Sequence, residues 1–497
     1  MNGKNNARQV NLTKMGKKVY IEHKNVTYPT HRYGYAPSKK YPEYMWDDIS
    51  EEKNDVYEMV RNCLKGYGLD KNNYGTKQWN PLGDIIAEGN IVVIKPNWVE
   101  DKNENRSGGM DCLVTHASII RAVIDYVYIA LKGSGKIIIG DSAMPDCNFE
   151  RLMEVAHYNC VWDSCKKRNI DFSVIDFRDD IVTGFANKVE HKESKNEIII
   201  DLGDDSCFSD TEYNIGKYRN GIVDATLMNQ YYHTAGHHRY GINRDVLGAD
   251  VIINLPKPKT HRKAGYTAAL KNYIGICSKK TSIPHNVMGN EKEGGDTYYG
   301  PKIVFETEQQ IRDMQNRSQA AGKSLKGIFL KCLRIPFWIF RRLTHKKYFG
   351  TGNWHKNDTI WRSILDINRI VIFADKAGKL SLEPQRKFFS IGDMIVSGHC
   401  NGPLAPAPLE IGVILCSEDP VAFDHTVVNL MGFDVEKLPV LNKISEIKSY
   451  KISKDRVEDI PVYSNEKRLN GQTIGNMPIA PYGYFKPAEG WDVISNK

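Results

Sequence analysis

The chain has 497 residues, 41% hydrophobic and 26% charged, which is the composition of a globular protein large enough to bury a core. Its first residues are polar and basic, and no run of 18 uncharged apolar residues occurs, so neither a secretory signal nor a membrane-spanning helix is expected. Ten cysteines without a CxxC pair favour reduced cytosolic thiols over disulfides, zinc or an iron–sulfur cluster.

Predicted strands and helices alternate along the middle of the chain. Short β-branched runs favour strands, and longer amphipathic runs favour helices. The predicted strands are residues 91–95, 136–140, 172–175, 249–255 and 411–416, and the predicted helices are residues 116–131, 149–168, 358–373 and 421–430. This alternation is typical of an α/β fold, with a mainly parallel sheet and helices on both faces.

The alternation is interrupted twice and does not reach either end of the chain. Residues 177–244 hold short β-like pieces and predict an inserted β-rich subdomain. Residues 281–355 predict a basic and aromatic helical insertion, since loops of that length usually have a structure or function of their own. We therefore expect an α/β core over residues 86–435, with irregular arms of residues 1–85 and 436–497 packed on it.

Polar residues follow the first two predicted core strands. Lys95 and Asn97 end the first strand, and Asp141 ends the second. The carboxyl ends of parallel strands open the ligand crevice of α/β proteins, so Lys95 and Asn97 are candidates for substrate binding and Asp141 for catalysis. Asp141 could act as a base or metal ligand, or only cap the next helix. His116, at the start of a predicted helix, is either a substrate-binding residue or a surface histidine.

Several histidines suit a metal or proton transfer. His233, His237 and His238 are candidate ligands of a divalent metal, because residues four apart share one face of a helix. Gly236 weakens the helix prediction, and no nearby carboxylate completes a known zinc motif, so the metal assignment stays open. His285 is a candidate general acid or base.

In residues 250–276, a predicted buried strand is followed by a cluster of positively charged and imidazole side chains. These are Lys257, Lys259, His261, Arg262, Lys263 and Lys271. Cations at a strand-to-helix junction favour an anionic ligand, with Lys257 and Lys259 as contacts and Asn272 as an amide donor. Lys271 and His261 are candidates for catalysis, since neighbouring cations can lower the pKa of a lysine. The alternative is a solvated basic loop.

The net charge of +8 has its visible origin in residues 323–347, which contain eight cations and no acidic residue. Aromatic and aliphatic residues are interleaved with these cations, a composition typical of a segment at a membrane surface. The candidate membrane contacts are Lys331, Arg334, Trp338, Arg341 and Arg342. A core helix with a basic exposed face is the alternative. Nucleic-acid binding is disfavoured, because no known motif accompanies the segment.

Several segments, taken together, resemble the DUF362 family, whose function is uncharacterised. They follow the family order: VVIKPNWV (92–99), VTHASIIRAVI (114–124), IIIGDSA (137–143), PKPKTH (256–261), TAALKNYIGI (267–276), IPHN (283–286), GGD (294–296), ILDINRIV (364–371), NGP (401–403) and SEDPVAFDHTVVNLMG (417–432). The resemblance implies that the loop at Asn401 approaches the site and binds substrate. Some members carry a ferredoxin-like cysteine module; this chain is a variant without it, so an iron–sulfur cluster is not expected.

These features predict a cytoplasmic enzyme that binds a phosphorylated or carboxylated substrate at a lysine-lined crevice. A lipid-linked substrate is one form of this prediction. Residues 323–347 would attach it peripherally to the inner face of the cell membrane. Two other classes stay open: a non-catalytic membrane-surface protein that binds an anionic lipid or glycan, and a redox protein. The sequence does not identify the reaction.

Overall fold

The computed structural model describes residues 17–183, 188–191, 196–298, 302–344 and 350–496. The helices are α1 (Asp55–Tyr67), α2 (Ala117–Leu131), α3 (Phe149–Val155), α4 (Tyr158–Lys167), α5 (Arg244–Leu247), α6 (Ala269–Asn272), α7 (Lys302–Ala320), α8 (Ser324–Leu333), α9 (Ile335–Leu343), α10 (Ile360–Phe373), α11 (Pro420–Met431) and α12 (Pro439–Asn442).

The strands are β1 (Val19–His23), β2 (Ile91–Pro96), β3 (Lys136–Asp141), β4 (Phe172–Asp176), β5 (Asp180–Thr183), β6 (Lys188–His191), β7 (Glu197–Asp201), β8 (Tyr218–Arg219), β9 (His233–Thr234), β10 (His237–Asn243), β11 (Val251–Leu255), β12 (Lys259–His261), β13 (Gly265–Thr267), β14 (Asn286–Val287), β15 (Lys387–Asn401), β16 (Ala405–Ser417), β17 (Pro461–Ser464) and β18 (Gln472–Thr473).

One large sheet forms the centre of the fold, with strands in the order β18-β17-β1-β16-β15-β11-β2-β3-β4. The strands from β15 to β4 pair in parallel, as strand–helix alternation predicts. The predicted α/β class with a mainly parallel sheet is confirmed. The long antiparallel hairpin β15–β16 extends the sheet on one side, and the sequence predicts a strand only over the second half of β16, residues 411–416.

Helices cover both faces of the sheet because its central strands are apolar on both sides. Val92 and Ile94 of β2 face a layer that contains α1, α2 and α4. Val93 faces the opposite layer, which contains α10 and α11. Each fully buried valine or isoleucine contributes roughly 1.5–3 kcal/mol to folding. This two-sided burial fixes the strands whose ends form the site described below.

Both ends of the chain supply strands to the central sheet, where composition suggested irregular arms. β1 lies between β16 and β17.

The predicted helix over residues 149–168 is two helices, since His157 adopts the left-handed region at φ 56° and interrupts it. Residues 177–244 contribute the small antiparallel sheets β5–β6 and β7-β10-β9. In the part of the chain that the structure describes, no helix is both long and apolar enough to cross a bilayer.

Candidate functional site

A pocket of about 240 Å³ opens where the strands β2, β3 and β12 end. Asn97 follows β2, Asp141 ends β3, and Lys259 and His261 come from β12. The short helix α6 adds Lys271 from the opposite wall. The position is the carboxyl edge of a parallel sheet, where α/β proteins bind ligands.

The turn that carries Lys271 is held by buried hydrogen bonds. Asp424 of α11 accepts hydrogen bonds from the backbone N–H of Ala269 at 2.7 Å and from the Tyr266 hydroxyl at 2.9 Å. Burial raises the pKa of Asp424 to about 8. The Asn368 amide donates to the Leu270 carbonyl at 2.8 Å. These bonds fix α6, so Lys271 extends into the pocket from a rigid support.

Asn272 ties the same turn to the ends of the two neighbouring strands. Its amide nitrogen donates to Asn254 Oδ1 at 2.8 Å, and its oxygen accepts from Asn97 Nδ2 at 2.9 Å. The register of β2 and β11 sets Lys95 beside Asn254, which completes this polar layer. Asn272 also lines the pocket, and its amide has these protein partners, which position Lys271. Substrate binding by Asn272 stays a prediction.

Cations outnumber carboxylates in the wall of this pocket, which we call the lysine pocket. Its positively charged wall residues are Lys259, Arg262, Lys263, Lys271, Lys280 and Arg312. Among the described wall residues, Asp141 is the only carboxylate. An anion is the ligand that such a charge balance stabilises most.

Three of the lysine amines donate to uncharged oxygens. Lys259 donates to the Leu113 carbonyl at 2.6 Å, Lys280 to the Ser142 carbonyl at 2.8 Å, and Lys263 to the Thr351 carbonyl. The Lys271 amine makes no hydrogen bond and no ion pair with any residue that the structure describes. An ammonium group has three donors, so Lys271 has all of them available for a ligand.

Burial and mutual repulsion favour the neutral form of these amines. Burial lowers the pKa of Lys263 and of Lys271 to about 7, and that of Lys280 to about 8. It also places the pKa of Lys259 well below the usual lysine range. The pKa values of His261 and His285 are well below 6.5, again mainly through burial, so both imidazoles are neutral at pH 7.

Asp141 is neutralised by Lys95, which lies behind the pocket wall. The Lys95 amine is 2.8 Å from Asp141 Oδ1, and Asp141 Oδ2 accepts from the Trp98 backbone N–H at 2.6 Å. A Cβ on Gly275 would lie 1.9 Å from Asp141 Oδ1, so only glycine permits this approach. Asp141 does not cap the next helix, since Asn148 caps α3. Arg262 and Arg312 pair with Glu104 and Glu308 outside the pocket lining. The four pocket lysines form no ion pair with any residue that the structure describes.

Comparison with known proteins identifies the family. The model of DUF362, a domain of unknown function, matches residues 92–200 and 205–429, which is more than half of the chain. The chain belongs to the DUF362 family. The matched part of this DUF362 protein includes every cation of the lysine pocket. No curated protein matches the chain.

Two solved structures resemble this DUF362 chain distantly, each at 13% identity and a TM-score of 0.29. One is the lactate racemase apoprotein of Thermoanaerobacterium thermosaccharolyticum, for which the match covers 73% of this chain and 52% of that one. The other is a Thermotoga maritima protein, with 72% and 54% covered. The chain thus spans about half the length of the structures that it matches.

The lowered pKa values predict that anion binding weakens as pH rises. Lys263, Lys271 and Lys280 lose their protons between about pH 6 and about pH 9, whereas sulfate keeps its charge over this range. We expect the sulfate affinity, measured by isothermal titration calorimetry, to fall at least about tenfold over that range. Proton uptake on binding should appear as a dependence of the measured heat on the buffer. A pH-independent affinity would contradict the assignment.

The same lowered pKa values make the free protein more stable as pH rises, whereas they make anion binding weaker. Between the folded values near 7 and the ordinary lysine value of 10.5, the unfolded chain binds more protons than the native one at Lys263 and Lys271. The contribution of these groups to the free energy of unfolding therefore rises with pH across that window. Without an anion, the pocket is most costly to fold below about pH 7.

Besides Lys95, three predicted substrate-binding residues lie outside the pocket lining. The Lys257 amine is 3.0 Å from Asp393 Oδ2, and both side chains are fully buried. His116 caps α2 by accepting from the Ser118 backbone N–H at 3.2 Å. The Asn401 oxygen accepts from the Glu489 backbone N–H at 3.0 Å, although the loop after it does reach the pocket. In the structure these three side chains support the fold.

The candidate metal-binding histidines lie on a hairpin and not on a helix. His233 and His238 pair across β9 and β10, with their Nδ1 atoms 3.2 Å apart. His237 lies on the other side of the strand, exposed, with its Nδ1 2.7 Å from Asp201. The three rings therefore do not converge on one point.

Among the described residues, one group of three potential ligands lies close together: Glu100, Asp101 and Cys147, within 4.8 Å of one another. Burial raises the pKa of Glu100 to about 9, and that of Cys147 rises above the usual thiol value for the same reason. Metal ligands must be deprotonated, so these two groups favour protons over a metal at neutral pH.

The pocket contains residues that sequence reasoning did not select. Lys263 belongs to the cationic stretch and could have been chosen with its neighbours. Lys280 lies just after the basic stretch, nine residues beyond Lys271, and Arg312 comes from a distant segment that no local pattern marks. Arg312 projects from α7, where its guanidinium is 3.1 Å from Glu308 and burial lowers its pKa to about 9. The helical insertion thus forms part of the pocket wall.

Proposed function

We propose that this DUF362 protein is an enzyme that binds a phosphorylated or carboxylated substrate in the lysine pocket. The observation that carries the proposal is the wall of six basic residues around a single carboxylate, which is already paired with Lys95. The four lysines among them form no ion pair with a described residue. Buried amines without counter-ions are costly, and an anionic group of the substrate would offset that cost. A phosphate or carboxylate would supply oxygen acceptors to the Lys271 amine and to the remaining N–H donors of the other lysines.

Within this proposal, Lys259 and Lys271 bind the anionic group. A pKa of about 7 also suits Lys271 for proton transfer, since a catalytic acid or base works best near the ambient pH. His285 lies on the same pocket, with its Nδ1 2.9 Å from the Ile283 carbonyl. A proton on Nδ1 would donate to that carbonyl and leave Nε2 as a base. His261 and Asp141 are the further candidates for handling protons.

A screen of phosphorylated and carboxylated metabolites tests both binding and conversion. Ligands that raise the melting temperature of the wild-type protein are incubated with it, and mass spectrometry measures their consumption. We expect at least one such ligand to stabilise the wild type more than the Lys271→Met variant, and to be consumed only by the wild type. A ligand that binds without being consumed would support a non-catalytic binder. If no anionic ligand stabilises the protein, the proposal fails.

A further inference from the structure

The helices α8 and α9 expose a continuous row of large apolar side chains. On α8 these are Leu325 (85% exposed), Phe329 (62%) and Leu333 (42%); on α9 they are Ile335 (51%), Trp338 (45%), Ile339 (45%) and Leu343 (76%). On α8 they are four residues apart, and on α9 Ile335 is followed by the adjacent pair Trp338 and Ile339 and then by Leu343, so in each helix they occupy one side. We call this surface the α8–α9 face. Contiguous exposed apolar patches mark interaction sites.

The opposite side of the two helices packs on α7 and takes up part of the positive charge. A Cβ on Gly327 would lie 3.0 Å from Gln319, which shows how closely α8 approaches α7. Arg341 is 2.9 Å from Glu308 Oε2, and Arg334 is 3.8 Å from Glu308 Oε1. These two arginines, predicted as membrane contacts, therefore point into the helical insertion.

The cations that remain outside flank the α8–α9 face. Lys323, Lys326 and Arg342 are exposed. The Arg342 guanidinium lies 4.5 Å above the Trp338 ring, which joins charge and aromatic surface. No acidic residue occurs between residues 321 and 344. The face therefore combines apolar anchors with positive charge only.

We propose that the α8–α9 face docks this protein on an anionic lipid bilayer. Leucine, isoleucine and aromatic side chains insert at the boundary between headgroups and acyl chains, and flanking cations bind anionic headgroups. A second copy of the chain fits poorly, since a two-fold interface through this face would bring Lys323, Lys326 and Arg342 of both copies together. An acidic surface is the complement that the face requires.

Docking on a bilayer does not depend on the proposed function, but the α8–α9 face and the lysine pocket are connected through α7. α7 packs on α8 and also supplies Arg312 to the wall of the lysine pocket. Docking through the α8–α9 face would therefore hold the pocket close to the bilayer. A substrate with a lipid tail and an anionic head would be accessible from that position.

Vesicle sedimentation of the purified full-length chain tests the docking surface. Vesicles of phosphatidylcholine alone are compared with vesicles that contain about 30 mol% phosphatidylglycerol. We expect the wild type to bind the anionic vesicles and to be released by high salt. The Phe329→Ser/Trp338→Ser variant should bind at least about tenfold more weakly, because both anchors lose their apolar contact.

A matched control separates the face from general surface hydrophobicity. Leu382 is 78% exposed and lies outside the insertion, so Leu382→Ser should bind vesicles like the wild type. The altered side chains are exposed, so the double variant should keep the wild-type melting temperature. A wild type that does not sediment with anionic vesicles would overturn the proposal. A second contradicting result is self-association of the wild type. Light scattering would detect it, the double variant would abolish it, and neither protein would bind vesicles.

Discussion

Replacing Lys271 by methionine should lower the affinity of the lysine pocket for sulfate by about tenfold to a hundredfold, the range expected for one charged hydrogen bond. Methionine keeps most of the side-chain volume and removes the only pocket amine that has no partner among the described residues. Calorimetry at about pH 6 is the measurement, because Lys271 with a pKa near 7 is then mainly protonated. The loss should shrink toward about pH 9, where the amine is already neutral.

The stability of the same variant provides an internal check. Without ligand, Lys271→Met should unfold at or above the wild-type temperature at about pH 6, since it removes a buried charge that has no counter-ion. Lys376→Met, at an exposed lysine, serves as the control and should change neither sulfate affinity nor stability. Unchanged sulfate binding in Lys271→Met would exclude Lys271 as a ligand contact.

Replacing Lys257 by methionine should lower the free energy of unfolding by about 3–5 kcal/mol, the cost of breaking a buried ion pair by removing one partner. The variant leaves Asp393 buried with no cation, although Asp393 still accepts hydrogen bonds from the Tyr28 hydroxyl and from the His116 backbone N–H. Urea denaturation measures the change. Sulfate affinity should stay near the wild-type value, because Lys257 does not line the pocket.

A second substitution tests the cause of that loss. In the variant Lys257→Met/Asp393→Asn the buried carboxylate is also removed, and asparagine can still accept from Tyr28. We expect it to recover part of the lost stability. If Lys257→Met instead weakened sulfate binding and left stability intact, the sequence-based assignment of Lys257 to the anion would be right and the structural role wrong.

Local sequence patterns were sufficient for the parallel half of the sheet. β2, β3, β4 and β11 are short β-branched runs between turns or helices, and the periodicity places each within one or two residues. The hairpin β15–β16 was largely missed, because its long strands depend on pairing with each other and with β1. Propensity within a short window does not contain that information.

The strand ends in the sequence indicated the edge of the sheet at which the pocket lies. They indicated less well which side chains line the pocket. Lys257 and Lys259 are two residues apart in one basic stretch, yet one is buried against Asp393 and the other reaches the pocket. The partner that decides between these roles lies more than a hundred residues away. Arg312 reaches the pocket only through tertiary packing of α7, so local charge patterns could not identify it.

Anomalous diffraction from crystals grown with selenate at about pH 6 tests the central claim most directly, since selenate is a sulfate analogue with a detectable scatterer. We expect an anomalous peak in the lysine pocket within hydrogen-bonding distance of the Lys271 amine, close to Lys263 and Lys280. The same crystals of Lys271→Met should show a weaker peak there. Selenate bound only at sites outside the pocket in the wild-type crystals would contradict the assignment of this pocket as an anion site.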